Sequence, residues 1–243
     1  MEETIAGRNP VLEALKSGRP INKILLARGL KPATIAEISS LAREKQIPVQ
    51  QVEKNFLDRL MTDTAHQGIV AHVSPHEYAD LEDILNKIKE AEPLLILLDE
   101  VTDPHNLGAV IRSACAAGAH AVVIPKRRAA ALTPAAVKAS AGAVESLPVA
   151  RVNNMVQTIN LLKQRGFWVV GADASATQVI WEVPLDGPLA IVIGGEDKGL
   201  GRLVKEKCDI LVKFPMSGRV NSLNVSVAAA LVLFEAVRQR SGK

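Results

Sequence analysis

The chain has 243 residues, enough for one large domain or two modest ones, and its 48% hydrophobic and 23% charged residues exclude wholesale disorder. The formal net charge of +3 is uneven: ten Lys/Arg face eight Asp/Glu over residues 1–75, two face five over 76–90, and seventeen face thirteen from 91 onward. Two mildly basic bodies joined by an acidic connector suit a polyanionic partner without requiring one. Aromatic residues at 3% argue against stacking platforms for single-stranded bases. Cys115 and Cys208 lack any spacing that would hold a metal, and no apolar run is long enough to span a bilayer. With no charged-then-apolar leader at its start, the chain reads as a cytoplasmic protein with reduced thiols.

The first 75 residues alternate. NPVLEALKSG (9–18) is predicted as a helix, with Val11, Leu12 and Leu15 on one face and Gly18 past its end. INKILLARG is predicted as a strand, ATIAEISSLAREKQ as an amphipathic helix, IPVQQV as a strand, NFLDRLMT as a short helix and QGIVAHVS as a closing strand. Residues 1–75 therefore read as a compact α/β module, and 76–92 as a linker with one short helix. From Pro93 to the end the pattern restarts as a second domain, 93–243. LLILLDEV is a continuous apolar run, as in a central parallel strand covered on both faces. Helices NLGAVIRSACAAG, TPAAVKASAG, NMVQTINLLKQRG, GRLVKEKC and NVSVAAALVLFEAVRQR alternate with strands HAVVIP, LPVARV, FWVVGAD, LAIVIGG and DILVKFPM. That alternation predicts an α/β fold with a parallel sheet between two helical layers.

IVIGGEDKGLG (191–201) lies at the carboxyl end of a predicted strand, where ligands of such sheets sit. A dinucleotide fingerprint fails, because Glu196 stands two residues after Gly194 and the segment comes late in the chain. A P-loop fails as well, since Leu200-Gly201 occupies the Lys-Ser/Thr positions. Two readings stay open for this stretch: a cofactor bound largely through main-chain groups, or a tight turn with a solvated acidic cap. Two other segments bear on the choice. In DPHNLGAVIRSA (103–114), Asn106 can cap a helix while Arg112, two turns in, points back towards the strand ends. In PMSGRVNSLNVSVAAAL (215–231), Asn221, Ser222, Asn224 and Ser226 crowd a helix entrance that needs only one cap.

Together these three segments resemble the motifs of the SpoU (TrmH) family of RNA ribose 2′-O-methyltransferases, within the SPOUT superfamily. The first matches D-P-x-N-x-G-A-x-x-R-x-A, the second an apolar strand followed by G-x-E, and the third S-L-N-V-S-x-A. GRNPVLEAL (7–15) and HQGIVA (66–71) resemble the family's substrate-binding extension, so the likeness covers nearly the whole chain. It implies a parallel-sheet SPOUT domain with a deep trefoil knot, S-adenosylmethionine bound in a bent form, and a homodimer with the site near its interface. It also implies a small N-terminal RNA-binding domain resembling ribosomal proteins. By motif, Asn106, Arg112, Glu196, Ser222 and Asn224 are the catalytic-site residues; Gly194, Phe214, Met216 and Leu223 line the cofactor pocket, mostly through backbone. No metal is implied.

Among members with this architecture the usual substrate is a guanosine of 23S ribosomal RNA, free or in an assembling large subunit. The alternatives are a tRNA-modifying enzyme and a non-catalytic ribosome-assembly factor of the same fold. A guanidinium resists deprotonation and its fork suits phosphate. The expectation is therefore a charged Arg112, oriented by Glu196 and Ser222, that grips a substrate phosphate and stabilises the developing 2′-oxyanion; the rival role is a base. Asn106 and Asn224 would hold the loops in register. Other residues carry less. His72 and His76 have an H-x₃-H spacing interrupted by Pro75, His105 reads as solvated or structural, and Lys126-Arg127-Arg128 could meet RNA phosphate. Val227, Leu231 and Phe234 form an apolar stripe that is core or dimer interface.

Overall fold

The structure, a computed structural model, describes residues 3–19, 21–45, 47–61, 65–73, 76–196, 198–218 and 222–242. In the N-terminal module, β1 (Glu3–Ala6), β2 (Ile21–Ala27), β3 (Val49–Val52) and β4 (Ile69–Val73) form a sheet in the order β1-β4-β2-β3. Only the β2/β3 pair is parallel. Because side chains alternate along a strand, Ile24, Leu26, Ile69 and Ala71 face α1 (Arg8–Ser17) and α2 (Pro32–Glu44), which bury Val11, Leu12, Leu15 and Ile38 against them. Leu25, Ala27 and Val70 face the other way, onto Leu57 of the two-turn α3 (Lys54–Leu60). Strand β1 has no counterpart in the sequence reading. Four residues are too few for a period to register, and it forms because β4 offers an edge, with Ile5 opposite Ala71. Gly7, at φ 102°, then turns the chain into α1 while its N–H donates to the Ile69 carbonyl (2.9 Å).

The second body is a seven-stranded sheet: β5 (Leu94–Asp99), β6 (Ala121–Pro125), β7 (Val149–Val152), β8 (Trp168–Ala172), β9 (Gln178–Val179), β10 (Leu189–Gly194) and β11 (Ile210–Lys213). They lie in the order β7-β6-β5-β10-β8-β11-β9, and every pair is parallel. All six residues of β5 are buried, as its unbroken apolar run predicts. Leu94, Ile96 and Leu98 pack with α5 (Pro104–Ala116), α6 (Pro134–Ala139) and α9 (Val225–Ser241). Leu95 and Leu97 pack with α4 (Leu81–Lys87), α7 (Met155–Gln164) and α8 (Arg202–Lys207). Each such side chain contributes roughly 1.5–3 kcal/mol on burial. The edge strand β9, two residues long, has no readable pattern. Among the described residues, no helix is long and apolar enough to cross a membrane.

The stretch read as a linker is packed against the large sheet. Ala79 bridges to Ala150, the Tyr78 hydroxyl accepts from Leu132 N–H (2.9 Å), and the Arg151 guanidinium lies 4.6 Å above the Tyr78 ring. Helix α4 follows, capped by Asp80, whose carboxylate accepts from the N–H groups of Glu82 and Asp83. The two bodies also meet directly. Arg19 pairs with Glu145 at 2.6 Å, with side chains only 6% and 1% exposed. Ser74 and Pro75 lie outside the described residues.

Strand order positions the site. From β5 the chain runs outward through β6 to β7; from β10 it runs the other way, through α8 to β11. The reversal falls between β5 and β10, whose last residues, Asp99 and Gly194, are register partners. A crevice beyond the carboxyl ends of two such strands is the ligand position of open α/β sheets.

Candidate active site

The loop after β10 is knitted to the end of β5. Gly195 N–H donates to the Asp99 carbonyl (2.8 Å), Gly199 N–H to the Gly195 carbonyl (2.9 Å), and Gly201 N–H to Asp99 Oδ2 (2.8 Å). Burial holds the Asp99 carboxyl above the usual range, partly offset by the Gly201 bond and reinforced by Glu100. The loop folds back so tightly that a Cβ on Gly194 would lie 2.1 Å from the Gly199 carbonyl carbon and 2.3 Å from Leu200 N. At Gly195 a Cβ would lie 2.5 Å from the Glu100 carbonyl oxygen. The paired glycines are thus a steric requirement of the turn.

Three side chains from three separate segments converge beside it. Asn106, on the first turn of α5 and only 8% exposed, donates from Nδ2 to Glu196 Oε1 at 2.7 Å. Asn224 donates from Nδ2 to the same oxygen at 2.8 Å and to Asn106 Oδ1 at 3.0 Å. The Asn224 carbonyl oxygen meanwhile caps α9, accepting from Ser226 N–H at 2.9 Å. Asn106 is placed by its helix. Asp103 caps α5 and Pro104 opens it, and Gly108 lets α5 touch α6 so closely that a Cβ would sit 2.3 Å from the Ala136 carbonyl oxygen. Glu196 Oε2 makes no hydrogen bond among the described residues.

Next to this cluster a cavity of about 330 Å³ opens at the carboxyl ends of β8, β10 and β11. That is at the lower end of the usual size for small-molecule sites, ~300–1,000 Å³. Gly194, Phe214, Met216 and Leu223 all line it, and so do Ser222 and Glu196. Ile193 and Val225 extend its apolar wall, while Trp181 packs edge-on behind Phe214 at a centroid distance of 6.0 Å. One end is charged: Asp173 pairs with Lys205 at 2.7 Å. Burial alone would raise the Asp173 carboxyl, but Lys205 and Ser175 together hold it below its ordinary range. The sequence reading missed this pair. GADASA after β8 reaches the same sheet edge as the glycine loop, and that position was the available signal.

Two expectations need correction. Asn106 does not cap α5; Asp103 does, accepting from His105 N–H at 2.9 Å, and Asn106 is free to turn inward. Arg112 does not line the cavity or join the cluster either. Six residues beyond Asn106, it lies about 9 Å further along the axis and about 240° around it. There it is exposed, and among the described residues it makes no ion pair or hydrogen bond. Glu196 is therefore held by two asparagines and not spent on Arg112, and Ser222 is exposed in the cavity wall.

Of the other residues, Asn221 lies outside the described residues. His105 is exposed, and Lys126, Arg127 and Arg128 stand exposed after β6, with Arg128 paired to Glu100 at 3.0 Å. Among the described residues, no group of three or more His, Cys, Asp or Glu could hold a metal ion.

Comparison with known proteins agrees over nearly the full length. Residues 93–234 match the SpoU rRNA Methylase family, and residues 4–79 match the domain described as RNA 2′-O ribose methyltransferase substrate binding. A Bacillus subtilis protein assigned to the TrmH family of tRNA/rRNA methyltransferases, YacO, is 48% identical over 239 residues, covering 98% of this chain and 96% of its own. The SpoU methyltransferase AviRb from Streptomyces viridochromogenes, solved in complex with the cofactor AdoMet, superposes with a TM-score of 0.83 at 28% identity, covering 99% of this chain and 91% of that one. A structure of an RNA 2′-O ribose methyltransferase superposes at 0.80 with 31% identity, covering 98% and 88%.

Proposed function

The chain belongs to the SpoU rRNA methylase family, and from that premise we propose that it moves the methyl group of S-adenosylmethionine to a ribose 2′-hydroxyl of RNA. A guanosine of 23S ribosomal RNA, free or in an assembling large subunit, is the proposed target. The observation that carries the reading is the junction of the Asn106–Glu196–Asn224 cluster with the cavity at Gly194. The match of residues 4–79 to a 2′-O ribose methyltransferase substrate-binding domain and the likeness to a solved RNA 2′-O ribose methyltransferase support the 2′-oxygen as acceptor.

The residues fit the cofactor. An apolar slot walled by Ile193, Phe214 and Leu223 suits a purine, and the Asp173–Lys205 pair gives the cavity one polar end for a ligand that is itself part apolar and part charged. When bound, the sulfonium supplies an activated methyl group. What the chain contributes is alignment, which accounts for up to roughly 7–11 kcal/mol of such barriers. Gly194, Met216 and Leu223 hold the cofactor largely through backbone. Asn106 and Asn224 fix Glu196, leaving Oε2 to face the acceptor ribose, and Ser222 stands beside them in the wall.

The Arg112 guanidinium grips a substrate phosphate and steadies the 2′-oxyanion. In this reading it does so in a homodimer. Val227, Leu231 and Phe234 are 47%, 39% and 47% exposed on α9, at a spacing that makes one apolar stripe beside α5. A contiguous exposed stripe of this kind marks an interface. We assign residues 1–75 to RNA binding, 76–92 to the connection and 93–243 to methyl transfer, with the family's trefoil knot in the latter and the whole acting in the cytoplasm without a metal.

The test is transfer of labelled methyl from S-adenosylmethionine to ribosomal RNA and to tRNA, with mapping of 2′-O-methyl sites lost when the protein is removed. Loss at a 23S guanosine is the expected result. Loss confined to tRNA sites would replace the target, and no transfer to either RNA would leave only an assembly factor.

A further inference from the structure

The outer face of the N-terminal sheet is only half covered. Helix α3 shields Leu25, Ala27 and Val70 through Leu57. Beyond it the same face presents Lys23, directly across from His72 in the β2/β4 register, and Gln50, across from Leu25 in the β2/β3 register. These three, with Leu25 and Val52 between them, form the floor of a groove of about 440 Å³ whose wall is Phe56, Arg59 and Leu60 of α3. Phe56 is the only aromatic residue within 1–75, and it is 45% exposed rather than packed in the module's core. Glu53, at the rim, is paired with Arg28 at 2.9 Å. Among the described residues neither Lys23 nor Arg59 has an acidic partner, so the groove's charge is cationic.

We propose that this groove holds an unpaired stretch of the RNA substrate, with one base stacked on Phe56, phosphates met by Arg59 and Lys23, and base edges met by Gln50 and His72. The inference rests on the reading of RNA as substrate and adds where it docks. The chemistry favours RNA over a protein helix. An amphipathic helix needs a continuous apolar seat, and here Leu25 and Val52 are interrupted by Lys23, Gln50 and His72. An exposed ring flanked by two cations over a hydrogen-bonding floor is what a single-stranded base and its backbone need. The scarcity of aromatic residues argues against an array of platforms, and one platform is compatible with it.

The experiment uses the full chain with bulk ribosomal RNA as methyl acceptor. Phe56→Leu keeps apolar bulk and removes the ring; Arg59→Gln keeps most of the stem and removes the charge. Lys45→Gln, at the end of α2 on the opposite side of the sheet, is the control. Phe56→Leu and Arg59→Gln should each raise KM for RNA about tenfold, with kcat within about twofold and S-adenosylhomocysteine binding unchanged. The salt slope of log binding should flatten by roughly 0.7 for Arg59→Gln and stay put for Phe56→Leu. If both variants match Lys45→Gln while the wild type transfers methyl, the groove is not an RNA site and the proposed function stands. If only Arg59→Gln shifts KM, the effect is general charge and the stacked base is wrong. If the wild type methylates no RNA, the functional reading fails and takes this inference with it.

Discussion

The Asn224 side-chain amide donates to Glu196 Oε1 at 2.8 Å while its carbonyl oxygen accepts from Ser226 N–H at 2.9 Å. One residue therefore starts α9 and, through Glu196, fixes the loop after β10. Any change at 224 acts on both helix stability and site geometry, and the two can be separated by chemistry.

Asn224→Asp keeps the oxygen that caps α9 and replaces the donor with a second carboxylate facing Glu196. Stability should fall by less than the ~1 kcal/mol that losing a cap costs. Methyl transfer should drop at least about tenfold, because Glu196 is repelled from Asn106. Two carboxylates sharing a site raise one pKa, so the variant-to-wild-type activity ratio should rise as pH falls from 8 to 6. Thermal melting and transfer rates across that range check this; a ratio independent of pH would remove the clasp from the account.

Gly194→Ala places a methyl group 2.1 Å from the Gly199 carbonyl carbon and 2.3 Å from Leu200 N, both backbone atoms that cannot swing aside. Overpacking of this kind costs about 1–3 kcal/mol, and the loop must move into the cavity or away from it. S-adenosylhomocysteine affinity, measured by calorimetry, should fall at least about tenfold. Gly218→Ala, where a Cβ meets nothing within 4 Å, should bind as wild type does.

What was legible in the sequence divides along physical lines. The buried strands β5 and β10 and the helices around them were readable because long apolar runs and 3.6-residue spacing record burial directly. Strands β1 and β9, of four and two residues, were not, because they exist only through a neighbour's free edge. At the site, the glycine loop and the polar crowding before α9 were visible as excess over what a turn or cap needs. The inward turn of Asn106 was not, since it depends on Asp103 taking the capping role. Phase around α5 could have warned that Arg112 and Asn106 do not share a face. The Asp173–Lys205 pair joins the end of β8 to α8, a contact that no local pattern encodes.

Arg112→Lys tests the charge of that side chain. The position is exposed, so stability should stay within about 0.5 kcal/mol of wild type. Lysine offers a point charge without the planar fork, and if Arg112 grips phosphate and oxyanion, kcat should fall at least about tenfold. Lysine also loses its proton more readily, so turnover like that of wild type would favour a base at 112. Single-turnover rates, which isolate the chemical step, are the measurement that distinguishes the two.

His76 predicts how the junction between the two bodies responds to acid. Burial first, and then the charge of Arg19, push its imidazole down to about 4 from the usual 6.5, against a smaller opposing effect of a bond to the Val144 backbone. Below 6.5 the unfolded chain takes up a proton that the folded one refuses, so stability is lost as pH falls from 6.5 towards 4 and is fully present above that window. With the ring still partly open to water, the loss is on the order of 1–2 kcal/mol. Urea unfolding at pH 7.5, 6 and 4.5 should show a steeper decline for the wild type than for His76→Asn, which has no proton to refuse. Arg19 is the same residue that pairs with Glu145 across the junction, so protonating His76 sets two cations side by side where the bodies meet. Hydrogen exchange at pH 5 should therefore quicken first around residues 143–146 and 76–79. Equal pH slopes for wild type and His76→Asn would place the acid sensitivity elsewhere in the molecule.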